Sequence, residues 1–215
     1  MNHLIEKEQN LLNQKGHLNE PGYHIKEIFN YHRTMIKASR WRIKEWDYYC
    51  AISDKYAFSF TVADLGYMAL ITASLLDFQS QEETKCAKMK FFTFGKLNLP
   101  SSADRGDVIY LDKGRSFKFL HTEDSRIIEV DIKNFTDGEN LSAKLILSKH
   151  LEDDRMLIAT PFKENQTRFY YNQKLNCLNV SGEVKIGDKI YSFSPEKDLA
   201  VLDWGRGVWT YKNRS

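Results

Sequence analysis

Along YAFSFTVA, the large side chains Tyr56, Phe58, Phe60 and Val62 alternate with Ala57, Ser59, Thr61 and Ala63. A period of two marks a strand with two unlike faces. ADLG, from Ala63 to Gly66, reads as a turn into a second strand, Tyr67 to Phe78. The polar stretch QSQEETKCAK then predicts a loop, and MKFFTFGKLNLP a further strand ended by Pro100 and the loop SSADRGD. Downstream, RSFKFLHTEDSRIIEVDI predicts a hairpin. Phe117 and Phe119 share one side, the turn lies near Glu123 to Ser125, and Ile128, Val130 and Ile132 alternate on the return. In ENLSAKLILSKH the apolar set is Leu141, Ala143, Leu145 and Leu147. EVKIGDKIYSF places Gly187-Asp188 as a two-residue turn between alternating arms. Strands this closely spaced predict an all-β, antiparallel sandwich or barrel.

The start of the chain lacks this period. Residues 1–37 are polar and mixed, with one or two helical turns expected near Leu4 to Leu12, a stop at Gly16 and a turn at Pro21-Gly22. They predict a short, partly helical covering segment ahead of an antiparallel β domain over 38–200. The apolar stretch Phe58 to Leu76 is long enough to suggest a membrane span, but it contains Asp64. A carboxylate in mid-helix costs about 2.5–3.5 kcal/mol on insertion. Its alternation fits two strands, so no span is expected.

Composition narrows the classes. With 31 Lys and Arg against 29 Asp and Glu, the net charge is only +2, and no long basic run appears. That argues against nucleic-acid binding by electrostatics. Cys50, Cys86 and Cys177 are far apart and form no C-x-x-C pair. This fits a reducing, cytoplasmic setting without a disulfide framework. The six histidines are scattered without metal-ligand spacing, and no nucleophile elbow, P-loop or dinucleotide fingerprint occurs. No metal or cofactor is expected.

Three stretches mix charges with aromatics. In RWRIKEWDYY, a strand would put Trp41, Ile43, Glu45, Asp47 and Tyr49 on one face and Arg42, Lys44, Trp46 and Tyr48 on the other. In LDWGRGVW, Gly205 and Gly207 flank Arg206, so the backbone can bend or approach another surface closely, while Trp204 and Trp209 offer planes for a guanidinium. FYYNQKLNCL adds Tyr170, Tyr171, Asn172 and Lys174. One reading is a self-satisfied plug that closes a barrel end. The other is a ligand site lined by Lys44, Glu45, Trp46, Asp47, Tyr49, Tyr171, Asn172, Lys174, Asp203, Trp204, Arg206 and Trp209.

The motifs RIKEWDYY, TVADLGYMALITASLLDF, ATPF, FYYNQKLNCLNVSG and LDWGRGVW, in this order, resemble domain of unknown function (DUF) family 2804. More remotely, the chain resembles a lipocalin-like superfamily of carotenoid hydratase-like and lipid-binding proteins. The resemblance implies a lipocalin-like fold and a cavity for a hydrophobic small molecule of the lipid or isoprenoid class. It also leaves open a hydratase-like enzyme using a buried acid, with Asp47, Glu45, Asp64 or Asp203 as candidates, or an inactive remnant. Family members carry Pro where Thr210 stands and continue into a second half. Residues 201–215 are therefore expected to form a seam leading to an absent half, and the last strands to expose an edge to a second chain or to self-association.

Overall fold

The computed structural model describes residues 3–148, 155–163 and 165–210. The chain opens with three short strands, β1 (Gln9–Asn10), β2 (Gly22–His24) and β3 (Phe29–Asn30), then a single 3-10 turn at Arg33–Met35. The longer strands follow: β4 (Ile43–Ile52), β5 (Tyr56–Asp64), β6 (Met68–Asp77), β7 (Glu82–Phe91), β8 (Val108–Asp112), β9 (Arg115–His121) and β10 (Ser125–Thr136). They continue with β11 (Glu139–Ser148), β12 (Met156–Phe162), β13 (Asn165–Ile186), β14 (Lys189–Phe193) and β15 (Leu199–Val208).

One sheet runs β7-β6-β5-β4-β15-β13-β11-β10-β9-β8, with β12 and β14 also paired to β13 and β2 paired to β12. Its long strands pair antiparallel, and it curls until Arg115 on β9 reaches Cys86 Sγ on β7 at 3.5 Å. The fold is therefore an all-β, lipocalin-like curled sheet. The pattern of alternation explains the register: Ile128, Val130 and Ile132 of β10, and Leu141, Ala143, Leu145 and Leu147 of β11, all point into the core. The span from Phe58 to Leu76 is two paired strands. No described helix is long and apolar enough to cross a membrane.

β13 is 22 residues long and serves two sets of neighbours. Its pairing with β15 shifts between Leu175 and Leu178, with Cys177 at φ 57°. The extra residue keeps both leucines on the buried face and bends the strand.

Three expectations are corrected. The helical turns near Leu4 to Leu12 are absent; that stretch is extended, and its Ile5, Leu11 and Leu12 are buried by docking onto the rest of the chain. The loop expected over QSQEETKCAK is mostly strand β7, while Phe92 onward leaves the ladder. β7 is an edge strand exposed on both faces, so burial imposed no alternation there. The edge expected at the last strand is also missing. β15 lies between β4 and β13, paired on both sides, and the ends of the main run are β7 and β8.

Candidate functional site

Alternation along β4, β13 and β15 sends the twelve expected site residues to opposite faces of the sheet. Glu45, Asp47, Tyr49, Tyr171, Trp204 and Arg206 point inward and are buried. Lys44, Trp46, Asn172, Lys174 and Asp203 lie on the outer face, and Trp209 follows β15 on that side, packed against Trp46 with ring centroids 5.4 Å apart.

Inside, Arg206 is fully buried and every N–H has a protein acceptor. Nη2 donates to Asp47 Oδ1 at 2.8 Å and to the Pro100 carbonyl at 2.8 Å. Nε donates to the same carbonyl at 3.2 Å, and Nη1 to the Trp46 and Gly205 carbonyls at 2.7 and 2.9 Å. Its carbon sits 4.0 Å from the Trp204 ring centroid. Glu45 accepts from Tyr31 Oη at 2.7 Å and pairs with Arg33. A buried charge is tolerable only when paired and hydrogen-bonded, and this ladder meets that condition. Arg206 therefore secures the loop at Pro100 and keeps no N–H in reserve for a ligand.

Outside, Asp203 collects Trp46 Nε1 at 3.1 Å, Asn172 Nδ2 at 2.7 Å and the Lys174 ammonium. Trp46 stacks on Tyr170 at 6.2 Å. The two glycines exist for this packing. A Cβ on Gly205 would fall 2.0 Å from the Trp46 ring, and one on Gly207 2.4 Å from the Phe169 carbonyl. Lys44 bonds the Leu65 carbonyl and lies over the Tyr67 ring at 4.3 Å.

The interior beneath the sheet is packed: Tyr49, Phe58, Phe60, Phe117, Phe119 and Trp204 are almost fully buried, with Tyr49 and Phe119 rings 5.0 Å apart. A cleft of about 850 Å³ opens instead between residues 27–32 of the N-terminal segment and the loop from Pro100 to Gly106. Glu27 anchors its two walls. Its oxygens accept from Ser102 Oγ at 2.7 Å, the Ala103 N–H at 3.2 Å and Gln173 Nε2 at 3.0 Å. Arg126 donates to the Ala103 carbonyl at 2.6 Å and to Asp104 at 3.1 Å, and Arg155 pairs with Asp104 at 2.7 Å. Asp107 accepts the His121 N–H at 2.9 Å.

This loop thus sits on a set of buried polar groups. Among them, Arg126 Nε and Trp204 Nε1 have no hydrogen-bond partner in the described protein, while the Tyr49 hydroxyl meets the Arg126 guanidinium and the His121 ring the Ala103 backbone. Burial pushes the Tyr49 phenol up, with the Arg126 guanidinium working against it. Burial holds the His121 imidazole below its ordinary value, and Arg126 adds to that. Tyr31 and Tyr171 are also raised, chiefly by burial.

Glu27, Arg126, Arg155 and Gln173 were not anticipated. Arg126 and Gln173 carried a signal: each occupies an inward position in a strand whose other inward positions are apolar. Glu27 and Ser102 lie 75 residues apart, and no local pattern links them. Among the described residues no three His, Cys, Asp or Glu side chains come together to hold a metal. His150 and residues 211–215 of the expected seam lie outside the described residues.

The sequence model for "Domain of unknown function (DUF2804)" matches residues 2–215. No curated protein sequence matches the chain. A crystal structure from Nitrosomonas europaea, described as AttH, is similar with a TM-score of 0.57 at 15% identity, over 87% of this chain and 59% of that one. Kievitone hydratase from Nectria haematococca aligns at a TM-score of 0.43 and 10% identity, over 77% of this chain and 48% of that one. The chain thus spans less than two thirds of either structure, and the first likeness is one of fold.

Proposed function

This chain belongs to the DUF2804 family, and on that premise we propose that it binds a small amphipathic molecule in the cleft between residues 27–32 and Pro100 to Gly106. The observation that carries this reading is the juxtaposition of a roomy cleft with the buried polar groups Tyr49, His121 and Arg126 beneath the loop that forms one of its walls. Small-molecule sites combine apolar surface with a few convergent polar groups. Here Ile28, Phe29 and Pro100 supply apolar surface, while Asn30, Ser101, Ser102 and Asp104 supply polar groups. A ligand of the lipid or isoprenoid class suggested by the resemblance places its polar head in this cleft, whose exposed lining is more polar than apolar.

Hydration of a double bond is the second reading, and one feature favours it: the His121 imidazole and Tyr49 hydroxyl, buried beside Arg126, are groups of the type that exchange protons with a substrate. The carboxylates are less suited. Glu45 and Asp47 are taken up by guanidinium groups, Asp64 by the Gly66 and Gly95 N–H groups, and Asp203 by Lys174.

Native mass spectrometry after exposure to a total lipid extract tests the binding reading. The wild-type chain is expected to carry a defined extra mass, and S101W, which fills the cleft from an exposed position, to lose it. I190W, at an exposed position on β14, which lines no part of the cleft, is expected to keep it. A bare wild-type chain, or an adduct that survives S101W, refutes the cleft as the binding site.

A further inference from the structure

We propose that the corner formed by the entry to β4, the β5–β6 turn and the end of β7 is a docking surface for an anionic lipid bilayer. This goes beyond the cleft reading and does not depend on it.

The corner exposes an apolar cluster that the fold leaves uncovered. Phe91 is 61% exposed, Phe92 59%, Met89 55% and Trp41 44%. These side chains form one patch: Trp41 packs against Phe92 and Phe94 at 6.0 and 4.9 Å, and Phe92 lies 6.3 Å from Phe91. Isolated exposed apolar residues are ordinary, but a contiguous aromatic patch marks an interaction site.

The backbone is committed to this display. Phe92 and Phe94 hold φ of 59° and 51°, a left-handed conformation unfavourable for bulky side chains. They are fixed there by N–H bonds to the Tyr67 and Gly66 carbonyls at 2.7 and 2.8 Å. Asp64, buried behind them, accepts the Gly66 and Gly95 N–H groups at 2.9 and 2.8 Å and ties the two loops together. Strained backbone held by its surroundings concentrates where function requires a fixed geometry.

Charge selects the partner. Residues 37–44, 65–70 and 85–96 contain eight Lys and Arg and no Asp or Glu, in a chain whose net charge is only +2. Arg40 lies over the Phe94 ring at 4.2 Å and Lys44 over Tyr67 at 4.3 Å; on β7, Lys85 is exposed on the face of Met89 and Phe91, and Lys88 and Lys90 are exposed on the other face. Lysines on an edge strand also deter sheet-to-sheet pairing, but that role does not account for the exposed phenylalanines beside them. An aromatic tip on an edge strand with cations beside it and on the strand's reverse face matches the interfacial zone of a bilayer, where rings enter the acyl boundary and cations meet anionic headgroups. Trp41 meets Phe92 and Phe94 edge-to-face, at 78° and 73°, while those two rings stack on each other 6.1 Å apart.

Vesicle co-sedimentation tests the proposal. The chain is expected to partition onto mixed phosphatidylcholine–phosphatidylserine vesicles, weakly onto phosphatidylcholine alone, and less as salt rises. F91S/F92S and R40E/K85E, at exposed positions, should each lower the partition coefficient on the order of tenfold. F91W, which keeps the apolar tip, should retain binding and add a vesicle-dependent blue shift in emission. A wild-type chain that stays in solution with the anionic vesicles overturns the proposal. So does binding unchanged in F91S/F92S, or a chain that ignores vesicles and instead binds single-stranded RNA.

Discussion

Arg206 stands opposite Glu45 in the β4–β15 ladder, yet its guanidinium bonds Asp47, the next inward residue on β4, at 2.8 Å. Glu45 remains an ion-pair neighbour of Arg206 at 3.9 Å while it accepts from Tyr31 and pairs with Arg33 of the N-terminal segment. One buried arginine thereby links the two central strands to the loop at Pro100, and its partner carboxylate holds the covering segment.

Removing one half of this pair strands the other in a dry interior. D47A or R206A is expected to cost about 3–5 kcal/mol of stability, measured by urea unfolding. Replacing both with apolar residues of similar volume, D47L/R206M, should recover a large part of that loss. A double variant no better than the sum of the single ones would show that the lost loop contact at Pro100, rather than the stranded charge, dominates.

Gly205 is constrained from the other face. An added methyl group meets the Trp46 ring at 2.0 Å, so G205A must expel the indole from its stack on Tyr170 and its bond to Asp203. A loss of about 1–3 kcal/mol is expected, as for overpacking in a filled core. In the W46A background, the added cost of G205A should nearly vanish. Thermal unfolding of the four chains reads the coupling directly.

The acid limb of stability should report on His121. Its imidazole is held below the ordinary value by burial and by Arg126, so between the two values the unfolded chain binds the extra proton. Stability therefore rises with pH in that window, and is lost as pH falls below about 6.5. H121Q should flatten this limb in urea titrations at successive pH values. The buried phenols act at the other end: Tyr31, Tyr49 and Tyr171 are raised, so the unfolded chain loses those protons first and stability declines above about pH 10.

The fold was legible wherever one face of a strand is buried. Ile128, Val130 and Ile132 declare their strand because every second residue meets the core. β7 does not, because its residues meet solvent on both sides. Ile5, Leu11 and Leu12 imitate a helical spacing, but their burial comes from docking an extended segment rather than from a local period. The aromatic–charge stretches lie on the adjacent strands β4, β15 and β13 at the centre of the sheet. Alternation then divided them between two faces, so Glu45 and Lys174, both expected at one site, are separated by the sheet itself. The cleft stayed hidden because its walls come from residues 27–32 and 100–106, joined only by tertiary contacts.

Glu27 is the side chain on which those walls depend. It receives Ser102 Oγ and the Ala103 N–H from the loop, and Gln173 Nε2 from β13. E27A leaves a loop amide and a hydroxyl without their acceptor, at a cost of about 1–3 kcal/mol. The loop keeps its other ties, since Arg126 still holds the Ala103 carbonyl and Arg206 the Pro100 carbonyl. Hydrogen exchange in E27A should therefore quicken at Ala103 and its neighbours while the amides of β4 and β15 stay protected. That outcome makes the loop a separately opening unit above Tyr49, His121 and Arg126. Exchange that quickens equally in loop and sheet would instead show that the loop and the central strands open as one, and that no ligand reaches those groups without global unfolding.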